Sequence, residues 1–322
     1  MSAKTAVIIG AGLGGLLCGR ILSRKGWEVT VLEADTKPGG VLAGFEWEGV
    51  NCERGFHSVG GLVPGDPLEK LFRPLGLMDL PWYKADPDEG FPFLRLNSCT
   101  EYEIEHVIGP YQKSAWRLKG GGNTLVEELC KGLDIRCNKK AQVIDNKTVT
   151  CKDGNTFNAD IIISDLHPLT TAEMVRDHLR PSYIHRLARL ENGPDIFTVH
   201  CLLEDAPWQS GAIFLDEKFM LHFGEPETGI LEIMRFGEGN PVEMIDRAAQ
   251  RLGRLKVKKY RSMLSPGYGI KKHSNADFVA PVTPLPWLFL TGQNLGLHGI
   301  LGTTISALNT CKSIELSSPE GR

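Results

Sequence analysis

The run Ala6-Val7-Ile8-Ile9-Gly10-Ala11-Gly12-Leu13-Gly14-Gly15 is followed, after an apolar helical stretch, by Val29-Thr30-Val31-Leu32-Glu33. This order reads as strand, glycine turn, helix and second strand ending on an acid, which restricts the N-terminal part to a parallel βαβ unit. Gly10 permits the tight turn, Gly12 lets backbone approach a pyrophosphate, and Gly15 lets the helix pack close to its strand. Glu33 then stands where a carboxylate reaches a ribose hydroxyl. Phosphates bound there would face the positive end of the helix, beside Leu13 and Gly14. The block predicts a dinucleotide clamp rather than a bland glycine-rich turn.

The chain has 322 residues, enough for about two domains. A net charge of −3 offers no basic field for nucleic acid, and Lys256-Val257-Lys258-Lys259 is a single short cluster that reads as a solvated face. No nucleic-acid partner is expected. The eight cysteines form no C-x-x-C pair and no metal-type spacing, so they read as reduced thiols with no metal site. The fingerprint begins a few residues after Met1 without a signal-like segment, which predicts a cytoplasmic location and leaves peripheral contact at a membrane open. Phe278 to Cys311 lacks Asp, Glu, Lys and Arg, yet Pro281, Pro284, Pro286 and the Gly292-Gln293-Asn294 turn break any bilayer-length helix. That segment reads as a buried strand, a polar turn and a buried helix.

Further along, Lys37-Pro38-Gly39-Gly40 suggests a phosphate-side loop, and Phe45 to Val50 a short hairpin. The irregular, proline-rich stretch from Gly65 to Tyr111 suits an insertion. A helix is expected from Thr124 to about Gly132, then strands at Asp134–Cys137, Ala141–Ile144, Thr148–Cys151 and Ile161–Ile163. Aromatic-rich strands at Phe197–Leu203, Ala212–Leu215, Phe219–Phe223 and Ile230–Phe236 read as a separate sheet, followed by an amphipathic helix from Pro241 to Leu252. The fold class is therefore α/β: a Rossmann-like nucleotide domain from residues 1–64, 112–168 and 282–322, with a second, mainly antiparallel-sheet substrate domain from 65–111 and 169–281.

Four separated blocks carry a resemblance to a known family. They are the glycine fingerprint with Glu33 and Pro38-Gly39-Gly40; Glu53-Arg54-Gly55-Phe56-His57; Trp116-Arg117-Leu118-Lys119-Gly120-Gly121; and Thr291-Gly292-Gln293-Asn294 with His298-Gly299-Ile300-Leu301-Gly302. In order and spread the chain resembles the FAD-dependent phytoene desaturase, carotenoid isomerase and retinol saturase group, whose nucleotide domain has the architecture shared with glutathione reductase and amine oxidase. Gly267-Tyr268-Gly269-Ile270 resembles the saturase branch.

The resemblance implies FAD as cofactor, with Gly10, Gly12, Leu13, Gly14 and Gly15 at its diphosphate, Glu33 and Ala34 at its adenosine ribose, and Gly39, Gly40 and Val41 near the phosphates. Val143 is implied on the cofactor side, and Arg54 either at a phosphate or in the surroundings of Glu53. Gly292, Gln293, Gly299, Gly302 and Thr303 are implied at the flavin ring, where a helix N-terminus would meet the charge that collects on reduction. His57 and His298 are implied near the ring as proton-transfer candidates or as structural histidines. NAD is the rival cofactor for the same fingerprint, but the Pro-Gly-Gly after the acid and the glycine-rich C-terminal site favour FAD. Gly120-Gly121-Gly122 follows no apolar strand, so no second fingerprint exists and electrons must pass to or from an external partner.

The implied activity is hydrogen transfer at carbon–carbon bonds of an apolar polyene, isoprenoid or lipid-like substrate, as a desaturase or saturase. Three alternatives stay open: a polyene isomerase without net redox, a non-catalytic FAD-binding subunit, and an amine oxidase. The chain is shorter than the family pattern at Gly65–Trp116 and Ser164–Phe197, where substrate-covering segments normally lie, and Gly292-Gln293 replaces the usual acidic residue near the ribityl chain.

Overall fold

The computed structural model describes residues 3–84, 115–204, 211–216, 219–224, 228–253, 255–265, 269–271 and 278–317. The strands in chain order are β1 (Thr5–Ile9), β2 (Glu28–Leu32), β3 (Phe45–Trp47), β4 (Val50–Cys52), β5 (Trp82–Lys84) and β6 (Trp116–Leu118). Next come β7 (Asp134–Arg136), β8 (Ala141–Asp145), β9 (Thr148–Cys151), β10 (Thr156–Asn158) and β11 (Ile161–Ser164). The last are β12 (Ile196–Leu203), β13 (Gly211–Asp216), β14 (Phe219–Phe223), β15 (Ile230–Phe236), β16 (Val257–Ser265) and β17 (Leu288–Leu290). The helices are α1 (Leu13–Arg24), α2 (Pro67–Phe72), α3 (Gly121–Cys130), α4 (Pro168–Met174), α5 (Pro181–Leu187), α6 (Pro241–Leu252) and α7 (Gly299–Ser317). No helix among the described residues is long and apolar enough to cross a membrane.

The chain divides into two compact units, one of residues 1–43, 125–192 and 269–322, the other of 44–124 and 193–268. The first is the Rossmann-like unit. Its five parallel strands run in the order β17-β11-β1-β2-β7. β11 is buried at every position, as a strand covered on both faces requires, and Ile161-Ile162-Ile163 supplies the apolar run for it. Helix α1 buries ten of its twelve residues. The antiparallel meander β8-β9-β10 joins the same core, where Ile144, Val149 and Cys151 meet Ile162 and Leu288.

The second unit holds the antiparallel sheet β13-β14-β15-β12-β16. Helix α6 covers it, placing Met244 and Ala248 against Val199, Leu221 and Ile233. The helix starts where Asn240 caps the N–H groups of Val242 and Glu243 ahead of Pro241, and it stops at Gly253 with φ 84°. β16 is an edge strand, and its Lys258, Lys259, Tyr260 and Arg261 are exposed. The basic cluster read from sequence as a solvated face is thus the start of a charged edge strand, a pattern that discourages pairing with another chain.

The division departs from the sequence expectation at its joints. Residues 44–64 and 115–124 group with the second unit, because Phe45 and Cys52 pack on Ile230 and Val59 bridges to Trp116. Residues 169–192 and 278–281 group with the Rossmann-like unit, because Ala172, Val175, Leu179, Leu187 and Val279 fill its core. Helix α3 begins at Gly121, earlier than Thr124, since Gly120 and Gly121 take positive φ to turn into it. Most of the proline-rich stretch 65–111 lies outside the described residues; within them it forms α2 and β5.

Leu221 is fully buried at the centre of the second unit's core. Leu221→Ala is expected to cost about 2–5 kcal/mol, read as a lower urea midpoint; a loss under about 1 kcal/mol would contradict the packing described.

Candidate functional site

In the Rossmann-like unit the chain leaves β1 for β2 on one side and later returns to β11 on the other. The carboxyl ends of β1 and β11 therefore flank a topological switch point, where open α/β sheets bind ligands. Gly10 turns there with φ 98°. A Cβ on Gly15 would stand 2.0 Å from the Gly10 carbonyl oxygen, so only glycine lets α1 start this close to the turn. Gly39 donates its N–H to the Ala11 carbonyl at 2.8 Å, which lays the Gly39-Gly40 loop across the fingerprint, with Ala34 and Val41 exposed on its flanks.

Glu33 is buried at the end of β2, and its carboxylate accepts N–H groups from Ala11 and Asp35, both at 2.8 Å. A carboxylate offers more acceptor sites than these two bonds use, which leaves capacity for ribose hydroxyls. The backbone carbonyl of Glu33 is taken by Lys139. Val143 stands on β8 of the meander and is half-exposed.

The carboxyl of Asp165, one residue beyond β11, stands in the same crevice. Its Oδ2 accepts the Gly15 N–H at 2.9 Å. A Cβ on Gly12, Gly14 or Gly292 would come within 2.7, 2.5 and 2.1 Å of its oxygens. Burial pushes the carboxyl up to about 7, Glu33 adding to the rise while the Gly15 N–H opposes it. Gly292, with φ 99°, belongs to the turn after β17, where Gln293 leads into α7. Thr303 is buried in the first turns of α7, and Gly302 packs so tightly on Leu297 that a Cβ would clash with its backbone. His298 Nδ1 lies 3.4 Å from the Gln293 carbonyl and packs against Gly269.

The second unit contains a buried charged cluster. Register places His200, Glu232 and His222 in one row across β12, β15 and β14. Glu232 Oε2 is 2.9 Å from His222 Nδ1 and 3.0 Å from His57 Nδ1, and its Oε1 is 3.4 Å from His200 Nε2. Arg117 donates to His222 Nε2 at 3.0 Å and to the Phe223 carbonyl at 3.0 Å. A guanidinium only donates, so His222 accepts on Nε2 and carries its proton on Nδ1, pointing at Glu232. His200 Nε2 likewise donates to the Glu53 carbonyl at 2.8 Å. His57, His222 and Glu232 lie close enough together to share a cation, but the protonated Nδ1 of His222 has no lone pair for a metal.

Two carboxyls in this unit are driven apart. Burial works to raise Glu232, yet the charge of His57 and the hydrogen bonds of His200 and His222 outweigh it and hold the group well below the usual carboxylate range. Burial raises Glu53 to about 8, helped by the Glu232 charge and opposed by the Gly122 N–H. Burial also lowers His222 to about 4. At neutral pH the cluster therefore holds an ionised Glu232, a neutral His222 and a protonated Glu53. Such separation of like groups is what acid–base sites require, and structural networks produce it too.

The structure gathers the fingerprint residues, Glu33, Gly39, Gly40 and the Gly292–Thr303 block into the Rossmann-like unit. Arg54 and His57 belong to the second unit, where the buried Arg54 Nε has no hydrogen-bond partner among the described residues. Sequence reading missed Asp165, His200, His222, Glu232 and the role of Arg117. A histidine or acid set within an apolar strand, as in Ile196-Phe197-Thr198-Val199-His200-Cys201-Leu202-Leu203 and Ile230-Leu231-Glu232-Ile233-Met234, was the available signal. Phe219 and Phe223 of the aromatic-rich sheet are core side chains packed under α6.

Residues 8–75 match the family model of the NAD(P)-binding Rossmann-like domain, and residues 90–236 that of the flavin containing amine oxidoreductases. Over 127 residues the chain is 30% identical to the all-trans-retinol 13,14-reductase of Danio rerio, a stretch covering 39% of this chain and 19% of that protein. The chain thus matches less than a fifth of the length of that curated relative. Among solved structures it resembles the CLA-producing fatty acid isomerase from P. acnes, with a TM-score of 0.71 at 12% identity over 95% of this chain and 97% of that one. It also resembles an oxidoreductase from Methanosarcina mazei, with a TM-score of 0.69 at 15% identity over 96% and 100%. At these identities the structural likeness is one of fold.

Because folded Glu53 keeps a proton up to about pH 8 that the unfolded chain releases near pH 4.5, folding stability contributed by this group falls as pH rises through that window. Glu53→Gln, which cannot ionise, is expected to lose less melting temperature than the parent between pH 5.5 and 8.5. Equal slopes in the two melting series would place the Glu53 proton elsewhere.

Proposed function

From a chain whose residues 8–75 and 90–236 match the NAD(P)-binding Rossmann-like and flavin containing amine oxidoreductase family models, we propose an FAD-dependent enzyme that adds or removes hydrogen across a carbon–carbon bond of an apolar polyene, isoprenoid or lipid-like molecule. The observation that carries the reading is the glycine cradle at the switch point. Gly10, Gly12, Gly14 and Gly15 keep side chains out of the turn, so that backbone approaches it closely, and Glu33 closes its far end with unused acceptor capacity. Gly12 to Gly15 would hold the diphosphate, Glu33 the ribose, and the N-terminal turn of α7 the ring. Bound FAD supplies a hydride donor or acceptor.

This chain's own contribution is binding and proton control. His57 is the member of the buried cluster in partial contact with solvent, with a side chain 15% exposed against 2% for Glu232 and 0% for His200. We assign to it the proton that accompanies hydride transfer, as the resemblance carried by the Glu53–His57 block implies. Glu232 Oε2 lies 3.0 Å from the His57 Nδ1, and Arg117 with His222 fixes Glu232 in turn. His298 acts as a positioning residue, its ring seated between Gly269 and the Gln293 carbonyl. With no second nucleotide fingerprint in the sequence, electrons come from or go to a separate carrier.

The deciding experiment incubates the FAD-loaded chain with retinoid, carotenoid and unsaturated fatty-acid panels, with and without an artificial electron carrier, and resolves products by mass. A change of two hydrogens that needs the carrier supports the reading. Products of unchanged mass formed without net consumption of a carrier would replace it with an isomerase, the activity in the name of the P. acnes neighbour. Flavin binding without turnover on any panel would leave a non-catalytic FAD-binding subunit. His57→Gln is expected to lower turnover about 10²-fold or more and to flatten its pH profile, with the melting temperature little changed. Full activity in that variant would remove His57 from proton transfer.

A further inference from the structure

The fingerprint turn, the start of α1, the end of β11 and the turn after β17 converge on one side chain. Asp165 directs its carboxyl into the crevice, where Oδ2 takes the Gly15 N–H at 2.9 Å and both oxygens lie against Gly12, Gly14 and Gly292. Backbone holds it there from two sides: the Asp165 N–H goes to the Ile9 carbonyl, and the Thr291 N–H to the Ser164 carbonyl. A dinucleotide diphosphate needs this same helix end, because its anionic oxygens are drawn to the free N–H groups and the positive pole of α1. A carboxylate and a diphosphate cannot both be accommodated there without repulsion at close range.

We propose that Asp165 is a proton-operated latch on the diphosphate seat, so that loading of FAD into this chain is coupled to uptake of one proton by Asp165. The inference rests on FAD as the cofactor of this seat. Neutral Asp165 gives up its claim on the Gly15 N–H and offers an O–H to a phosphate oxygen; ionised Asp165 keeps that N–H and repels the phosphates. No bond is made or broken beyond the O–H of the acid. The titratable groups facing Asp165 are Glu33 from the end of β2 and Cys18 from α1, with Cys311 of α7 beside Cys18. Burial pushes both Asp165 and Cys18 upward, and the fixed negative charge of Glu33 adds to the rise at Asp165, so the latch opens around neutral pH rather than in acid.

The sign follows. With the folded, unliganded carboxyl titrating near 7 and the diphosphate favouring its neutral form, FAD affinity is full below that pH and falls as pH rises through it. If only the protonated form binds well, affinity at pH 8.5 is roughly tenfold to thirtyfold weaker than at pH 6. The test titrates the full-length, flavin-stripped chain with FAD from pH 6 to 8.5, following flavin fluorescence, for the parent, Asp165→Asn and Asp165→Ser. Melting temperatures without FAD check that all three fold. Both variants are expected to bind FAD with a flat pH profile, and Asp165→Asn at pH 8.5 to bind at least tenfold more tightly than the parent. A parent profile as flat as the variants', or variants weaker than the parent at every pH, would overturn the latch, the latter by making the carboxylate a holder of the cofactor. Failure of all three folded proteins to bind FAD at any pH would overturn the cofactor reading and the latch with it.

Discussion

The contact on which the Rossmann-like unit depends is the approach of α1 to the turn after β1. A Cβ on Gly15 would fall 2.0 Å from the Gly10 carbonyl, closer than any side chain tolerates, so the helix can begin at the strand's end only because Gly15 is glycine. That start aims the positive end of α1 into the space between β1 and β11. The Gly39-Gly40 loop, Glu33 and the Gly292 turn are then placed around one crevice by ordinary backbone hydrogen bonds, among them Gly39 to Ala11 and Gly10 to Leu32, both at 2.8 Å.

A strong anion seat has a consequence in an unliganded protein, since free N–H groups facing a closed crevice are costly unless something accepts from them. Asp165 provides that acceptor from within the chain. The same feature that attracts a diphosphate therefore also attracts a carboxyl, and the balance between them is set by a proton. Glu33, fixed nearby by Ala11 and Asp35, biases that balance toward the neutral acid.

The second unit solves a different problem. A carboxylate at 2% exposure is expensive to bury alone, and Glu232 is tolerated because three histidines surround it and Arg117 fixes one of them. Burial, helped by the nearby Glu232 charge, likewise explains why Glu53 keeps its proton. The unit thus holds one ionised and one neutral carboxyl, while Phe219 and Phe223 of its sheet serve packing.

Much of this was legible in the residue order. The fingerprint, Glu33, the Pro-Gly-Gly loop, strands β12, β13, β14 and β15 and helix α6 are each marked by a pattern within a few consecutive residues, so periodicity and glycine placement were enough to read them. The charged edge strand β16 was hidden because its lysines mask a strand pattern that only pairing with β12 completes. His200, His222, Glu232 and Arg117 are scattered over more than a hundred residues, and Asp165 lies far along the chain from the glycines it touches. By itself the sequence determined a dinucleotide seat and two sheet systems, because local sterics and hydrophobic period are written in consecutive residues. Which carboxyl fills that seat, and which histidines share a buried charge, was decided by the tertiary structure, because electrostatic partners are set by strand register and by turns meeting in space.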